Sequence, residues 1–276
     1  MTDVSLRELQ MEELRILCAI KEVCQKHKIT YYLGCGTLLG AVRHKGFIPW
    51  DDDVDIIMPY KDYCRFLRIA QSELAPGFFV QNCNTDPNFY GAFTKVRSNG
   101  TTAMRDNAEK YAIHHGVWVD IFPLAPVNSE REHALKKKIV KYSNLLQMDN
   151  YVRANREAMK TEFGHKVLNL LDCLFVLPMW LRKMIHNLTL KSLFLSPKAE
   201  CVAEIWNSVG VSFPEKYLGA GTMLEFEGQN FCVPTCYHEY LELVYGDYMT
   251  LPPEGERKTH SLRIVDLKRD YTFYMK

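Results

Sequence analysis

The feature that most constrains this chain is DDDVDIIMP, residues 51–59, preceded by the glycine turn of LGCGTLLG at 33–40. Four of the five positions from 51 to 55 are aspartate. Like charges crowded against an apolar run must either be solvated in a loop or be neutralised by something positive. Alternate side chains of a strand share a face. VDIIM (54–58) reads as a strand, so Asp53 and Asp55 point one way while Val54 and Ile56 point into a core. Two carboxylates side by side repel unless a cation lies between them. A hard divalent ion with oxygen ligands, Mg2+ or Mn2+, meets that demand. Asp51 and Asp52 precede the strand and read as loop or supporting charge.

The stretch before it supplies a complement. ITYYL (29–33) predicts a strand ending at Gly34, and TLLGAVR (37–43) predicts a short helix after the turn. Glycines permit close backbone approach, and a helix N-terminus presents N–H groups with partial positive charge. Gly34, Gly36 and the hydroxyl of Thr37 therefore suit a phosphate. A third carboxylate is expected where two metal ions serve phosphoryl transfer. Asp120 is the candidate, alone among Val119, Ile121 and Phe122 in VWVDIFPL. Burying it without a partner is costly, and a cation shared with Asp53 and Asp55 would resolve that cost. An acidic run near a turn is by itself commonly a solvated face, and a glycine pair after a strand is a weak signal. Strand, GxG, helix, Asp-x-Asp strand and later strand aspartate together are specific.

The rest of the chain reads as a mixture of helices and strands. Ser5 and Glu8 fit a capping box for a helix over 5–28. A helix is predicted from about Lys61 to Leu74, and strands at 78–81, 92–97, 101–105 and 116–124, the last closed by Pro123. After Pro126 a second capping box, Ser129 and Glu132, opens a helical stretch to about Lys191, broken at Pro178. Short strands return near 222, followed by a last helix in YHEYLELVYG and a loop-like tail, LPPEGERKTH. The pattern is an α+β fold in two regions, 1–126 and 127–276.

Composition narrows the function classes. A net charge of +1 offers no case for a nucleic-acid partner. Nine irregularly spaced cysteines in a chain this long fit reduced cytosolic thiols. Cys232 and Cys236 in CVPTC have only His238 as an obvious further neighbour, one ligand short of a zinc site. The N-terminus has neither the basic nor the apolar region of a secretory signal. The most apolar segment, LLDCLFVLPMWL (170–181), holds Asp172 and is too short to span a bilayer. The expected location is cytoplasmic. Residues 173–199 contain no acid and carry Arg182, Lys183, Lys191 and Lys198. An ordinary buried helical layer is the favoured reading of that segment, with peripheral contact at the inner face of a membrane as the alternative.

YYLGCGTLLGAVRHKGFIPWDDDVDI (31–56), FTKVR followed by TT, VDIFPL, and YGDYMTLPPEGERKTH together resemble the LicD family of phosphotransferases. The resemblance runs from residue 31 to residue 260. It implies a nucleotidyltransferase-like mixed sheet as the catalytic core (1–126), followed by a mostly helical insertion and a C-terminal substrate-binding segment of short strands and a helix (127–276). Fukutin-related proteins of animals are similar in the catalytic part. The resemblance implies Asp53, Asp55 and Asp120 as metal ligands, and Gly34, Gly36 and Thr37 as the seat of the donor phosphates. Arg43 and Lys95 are candidate charge partners of the diphosphate or the leaving CMP, and Arg97 competes with Lys95 for one face. Arg257 and His260 belong to the tail motif, where closing over substrate and lying solvated are equal alternatives. The implied reaction moves phosphocholine from CDP-choline, or another alcohol phosphate from CDP-ribitol or CDP-glycerol, to a hydroxyl of a cell-surface glycan, a lipid-linked glycan or a teichoic acid precursor. Asp120 is the candidate acceptor of the proton from that hydroxyl. Trp50, Trp118, Tyr90 and Phe89 lie near the motifs, without defining a cage for a quaternary ammonium. The alternatives are a nucleotidyltransferase that adds NMP from an NTP and an inactive scaffold of the same fold.

Overall fold

A computed structural model describes residues 4–89, 91–106, 108–145, 177–195, 199–206, 210–257, 259 and 262–275. The predicted helix over residues 146–176, and the sites Tyr90 and His260, lie outside the described residues.

The N-terminal helix α1 (Leu6–His27) begins at the expected capping box, with the Glu8 N–H donating to Ser5 Oγ at 3.2 Å and the Ser5 N–H donating to Glu8 Oε2 at 2.8 Å. Such a cap contributes about 1 kcal/mol. Leu9, Ile16, Leu17, Ile20 and Val23 recur at helical spacing and are buried. The chain then passes through β1 (Tyr32–Leu33), α2 (Cys35–His44), β2 (Asp55–Pro59), α3 (Tyr60–Glu73), β3 (Phe78–Gln81), β4 (Thr94–Ser98), β5 (Thr102–Met104) and β6 (Trp118–Val127). There follow α4 (Glu130–Leu145), α5 (Met179–Phe194), β7 (Cys201–Glu204), β8 (Ser212–Pro214), β9 (Thr222–Phe226), β10 (Gln229–Val233), α6 (Tyr237–Tyr245) and β11 (Ile264–Asp266).

The architecture is mixed α+β. The main sheet runs β1-β2-β6-β4-β3, and β7 and β8 join it through β6. Among the described residues, only β2 and β6 are parallel within it. One face carries Val54, Ile56, Val96, Val119 and Ile121, all fully buried. Two contacts show that α1 and α3 cover this face. Arg15 on α1 donates to Ser98 Oγ at 2.8 Å, and the Tyr63 hydroxyl on α3 meets Thr94 Oγ1 at 2.6 Å. Ser98 and Thr94 share the parity of Val96. The opposite face carries Asp55, Lys95 and Asp120.

Strand β6 corrects one expectation, for it runs through Pro123 and Pro126 to Val127. The Asp120 N–H donates to Val54 O at 2.9 Å, so even-numbered N–H groups here face β2 and odd-numbered ones face the other side. On that other side β4 pairs with 118–121 and β7 with 124–127. Pro123 falls in the handover, where no donor is required. Pro126 faces the β2 side, beyond the last β2 partner, Leu124. Proline is tolerated in a strand where the ladder does not ask for its N–H.

The second capping box is partial. The Glu132 N–H donates to Ser129 Oγ at 3.2 Å, but the Glu132 carboxylate reaches back to the Asn128 N–H at 2.9 Å. Pro178 occupies the N-cap position of α5. Lys136 of α4 donates to Pro126 O at 2.6 Å and to Leu193 O at 2.9 Å, tying α4 to β6 and to the end of α5. β7, β8 and β11 were not expected from the sequence. β11 pairs with β5 and so returns the tail to the body of the fold. The β9–β10 hairpin turns through Glu227 and Gly228, both at positive φ (53 and 71°), as a tight two-residue connection requires. Among the described residues, no helix is long and apolar enough to cross a membrane.

Candidate active site

Four of the candidate residues meet in one cross-strand row. In β1, Tyr32 and Leu33 pair with Ile57 and Ile56, and the Gly34 N–H continues that register by donating to Asp55 O at 3.0 Å. Asp55 pairs with Asp120, and Asp120 pairs with Lys95. Directly paired residues share a face, so Gly34, Asp55, Asp120 and Lys95 stand side by side across four consecutive segments. This row brings together residues 34 to 120 of the chain.

The glycine turn is built differently from the expectation. Gly34 has φ −121°, open to any residue; the left-handed residue is Cys35, at φ 45°. Both glycines stand in close contact with neighbouring side chains. A Cβ on Gly34 would lie 2.9 Å from Ile57 Cγ2, and one on Gly36 would lie 2.8 Å from Asp51 Oδ2. Asp51 therefore has its carboxylate against the turn, and its carbonyl accepts from Gln10 Nε2 of α1 at 2.9 Å. Thr37 is buried, and its Oγ1 accepts the Asp55 N–H at 2.8 Å, locking the turn to β2. The first turn of α2 has no side-chain cap.

The electrostatics are dominated by carboxylates. Burial, then the charges of Asp53, Asp120 and Asp51, push the Asp55 carboxyl well above the usual carboxylate range, with Lys95 pulling the other way. Asp53 lies two residues ahead of the first residue of β2. Asp52 is buried, and Asp51 and Asp53 are half-buried. Asp120 is satisfied by neighbours. Lys95 Nζ donates to its two oxygens at 2.6 and 2.8 Å, and Trp118 Nε1 donates to Oδ2 at 2.9 Å. Burial pulls Lys95 down to about 8 against the pull of Asp120. The cost of burying Asp120 is thus met inside the chain, by Lys95.

The other candidates are placed as follows. Arg97 is buried on the Lys95 face, donates to Gln81 Oε1 and Gly116 O at 2.7 Å each, and stacks 4.8 Å from the Trp118 ring. Arg43 donates to Tyr248 O at 2.9 Å, and burial lowers its pKa. Arg257 lies 4.8 Å over the Trp50 ring, beside the acidic motif. An aromatic wall flanks Lys95. Its Nζ is 4.6 Å from the Trp118 ring and 5.1 Å from the Phe93 ring. Phe93 packs on Phe122 at 4.9 Å, and Phe122 stacks on Trp206 at 3.5 Å. Phe89 meets Phe93 edge-on at 5.6 Å.

Sequence reasoning missed three participants. Trp206 and Phe93 give no local signal beyond aromaticity. Glu204 does, because CVAEIW sets a lone acid in an apolar run just as VWVDIF does. Glu204 is 4% exposed and accepts the Tyr240 hydroxyl at 2.7 Å. Burial pushes its carboxyl up to about 7, against the Tyr240 hydrogen bond.

An all-oxygen donor set with crowded, half-buried negative charge matches a hard divalent cation in chemistry and charge. Among the described residues, no three His, Cys, Asp or Glu side chains form a ready-made cage. A metal would therefore have to share Asp120 with Lys95. A cavity of about 830 Å³ opens elsewhere, between Tyr32, Pro59, Cys201, Pro214 and Leu218. Pro59 is four residues along β2 from Asp55, about 13 Å at strand rise.

This arrangement of glycine turn, aspartate strand and paired strand acid can be set beside known proteins. Residues 28–152 match the family model described as LicD/FKTN/FKRP, nucleotidyltransferase domain. The chain is 30% identical over 275 residues to the lipopolysaccharide cholinephosphotransferase LicD of Haemophilus influenzae, covering 95% of this chain and 98% of that protein. Uncharacterized proteins of Rickettsia typhi and Rickettsia prowazekii are similar over shorter stretches. The first is 36% identical over 88 residues (30% of this chain, 28% of that protein), and the second 54% over 59 residues (21% and 22%). The chain belongs to the LicD family and is a phosphotransferase.

Proposed function

We propose that this protein transfers phosphocholine from a CDP-linked donor to a hydroxyl of a lipopolysaccharide-type glycan, releasing CMP. The observation that carries the reading is the row Gly34, Asp55, Asp120 and Lys95, within a chain alike from end to end to a lipopolysaccharide cholinephosphotransferase. In this reading the core is nucleotidyltransferase-like. Asp53 and Asp55, with Asp120, would hold Mg2+ or Mn2+, which when bound offsets the negative charge of a diphosphate. The turn at Gly34, Gly36 and Thr37 seats the donor phosphates against the N–H groups of α2. Lys95, held by Asp120 and two aromatic faces, offers positive charge to the transferring phosphate. Asp120 accepts the proton from the attacking hydroxyl. Phe93 and Trp206, half-buried and backed by the buried rings of Trp118 and Phe122, offer aromatic surface beside this point, as a quaternary ammonium requires. Arg257, over the Trp50 ring, brings the tail beside the acidic motif.

Peripheral membrane contact belongs to the same proposal. Trp180, Met184 and Leu188 are exposed along one stripe of α5 in a basic segment. Residues 173–176 and 196–198 of that segment lie outside the described residues. Cosedimentation with anionic vesicles at low salt is expected, and its absence removes this part.

The deciding experiment incubates the protein with divalent metal, a glycan acceptor and, separately, CDP-choline, CDP-ribitol, CDP-glycerol and NTPs. CMP from CDP-choline is expected. Pyrophosphate from an NTP would overturn the reading in favour of nucleotidyl transfer.

A further inference from the structure

Glu204 is a buried acid outside the matched stretch 28–152 and has no part in the reaction as described. Glu204 ends β7 opposite Leu124, on the sheet face that carries Asp120. Its main chain is held independently of its carboxyl. The N–H donates to Val211 O at 3.3 Å, and the carbonyl accepts His133 Nε2 at 3.0 Å. The carboxyl is therefore not needed to keep β7 in the sheet. Its side-chain partners are the Tyr240 hydroxyl, at 2.7 Å from Oε1, and Cys35 Sγ, at 4.0 Å from both oxygens. Neither carries a positive charge. An apolar side chain of similar size would be cheaper to bury here. Tyr240 is itself fully buried and braced edge-on by Phe213 at 5.0 Å.

What this carboxyl reaches is the glycine turn. Gly34 and Gly36 have no side chain by which to be held. Cys35 between them has one, and it sits in the left-handed region at φ 45°, which costs an ordinary residue about 1–2 kcal/mol. Its thiol lies between Glu204 and Asp55. We infer that Glu204 is a positioning residue for the donor-phosphate turn: its carboxyl, aimed by Tyr240, holds Cys35 Sγ and thereby fixes the N–H groups of Gly36 and Thr37. The chain after residue 152 thus completes the site from behind. The inference rests on the proposed donor-binding role of the turn.

The test combines steady-state kinetics with hydrogen exchange of the 34–38 amides. Glu204→Ala is expected to raise the donor KM about tenfold, with kcat within about threefold and the acceptor KM unchanged. Glu204→Gln still accepts from Tyr240 and the thiol, and should stay within about threefold of the wild type. Cys35→Ala should copy Glu204→Ala, and the double variant should be no worse than either alone, because the two act as one unit. Exchange at 34–38 should quicken in Glu204→Ala and Cys35→Ala and not in Glu204→Gln. A wild-type donor KM and exchange rate in Glu204→Ala, or effects that multiply in the double variant, overturn the inference. If Glu204→Ala does not fold by circular dichroism, Tyr240→Phe carries the test. A rise of about threefold in donor KM with faster exchange supports the clamp, and unchanged values overturn it. A wild-type protein that releases no CMP from any CDP donor overturns the proposed function alone, since the exchange readout needs no donor.

Discussion

Asp120 and Glu204 stand on the same face of one sheet, and both are buried. Asp120 has a lysine and an indole N–H on its oxygens; Glu204 has a tyrosine hydroxyl and a thiol. Burial is equal, yet the partners differ in charge. Asp120 stands in a charged pair, while Glu204, buried among neutral donors, keeps its proton to about 7. The charged pair suits chemistry on charged substrates, and the neutral cluster suits holding a turn.

Several substitutions would break or sharpen this contrast. Asp120→Ala strands the buried Lys95 ammonium, and should lower stability by about 3 kcal/mol in denaturant titration while abolishing turnover. A neutral effect on stability would show that Lys95 does not depend on Asp120. Glu204→Gln should act through pH. The folded carboxyl keeps its proton to about 7, against 4.5 for the unfolded group. Between those values the folded state binds more protons, so wild-type stability falls as pH rises from about 4.5 to 7 and stays lower above. Glu204→Gln lacks this loss, so its advantage should grow by about 2–3 kcal/mol between pH 4 and pH 8. Melting curves with parallel pH dependence would contradict it. Asp55→Asn should abolish turnover yet raise stability by about 1 kcal/mol at pH 8, because it removes one of several mutually repelling carboxylates. A lower Tm would mean that the Asp55 charge is compensated in the fold. Arg257→Ala should cost less than about 1 kcal/mol, the size of a half-exposed cation–π contact, and is read by Trp50 fluorescence.

The parts of this site legible in sequence were those encoded locally. The glycine turn, the aspartates leading into β2 and the lone Asp120 each announce themselves within ten residues; the structure aligns Gly34, Asp55 and Asp120, and leaves Asp53 two residues ahead of the strand. The partner of Asp120 was not legible in the same way. Lys95 and Asp120 were both singled out, but their pairing depends on the register between β4 and β6, which neither segment specifies alone. In sequence Pro123 reads as a strand end, because a proline costs a ladder bond. Only the handover from β4 to β7 on one side of β6 shows that no bond is lost. β7 and β8 are four and three residues long, too short for a periodic signal, so Glu204 has only its apolar setting to mark it. β11 is as short, and pairs with a strand about 160 residues earlier, a separation that no local pattern reports.

The row from Gly34 to Lys95 also bears on how the chain matures. Its members sit on separate strands, and each stays on the face opposite α1 and α3 only while its strand keeps register. A slip of one residue in β2 or β6 would turn Asp55 or Asp120 into the layer beneath α1 and α3. The β2–β6 pair is parallel and joins residues 65 positions apart, a contact that forms late because a long loop must close first. Refolding chains would therefore regain helix signal well before they regain turnover, and the return of activity would time the closing of that one seam.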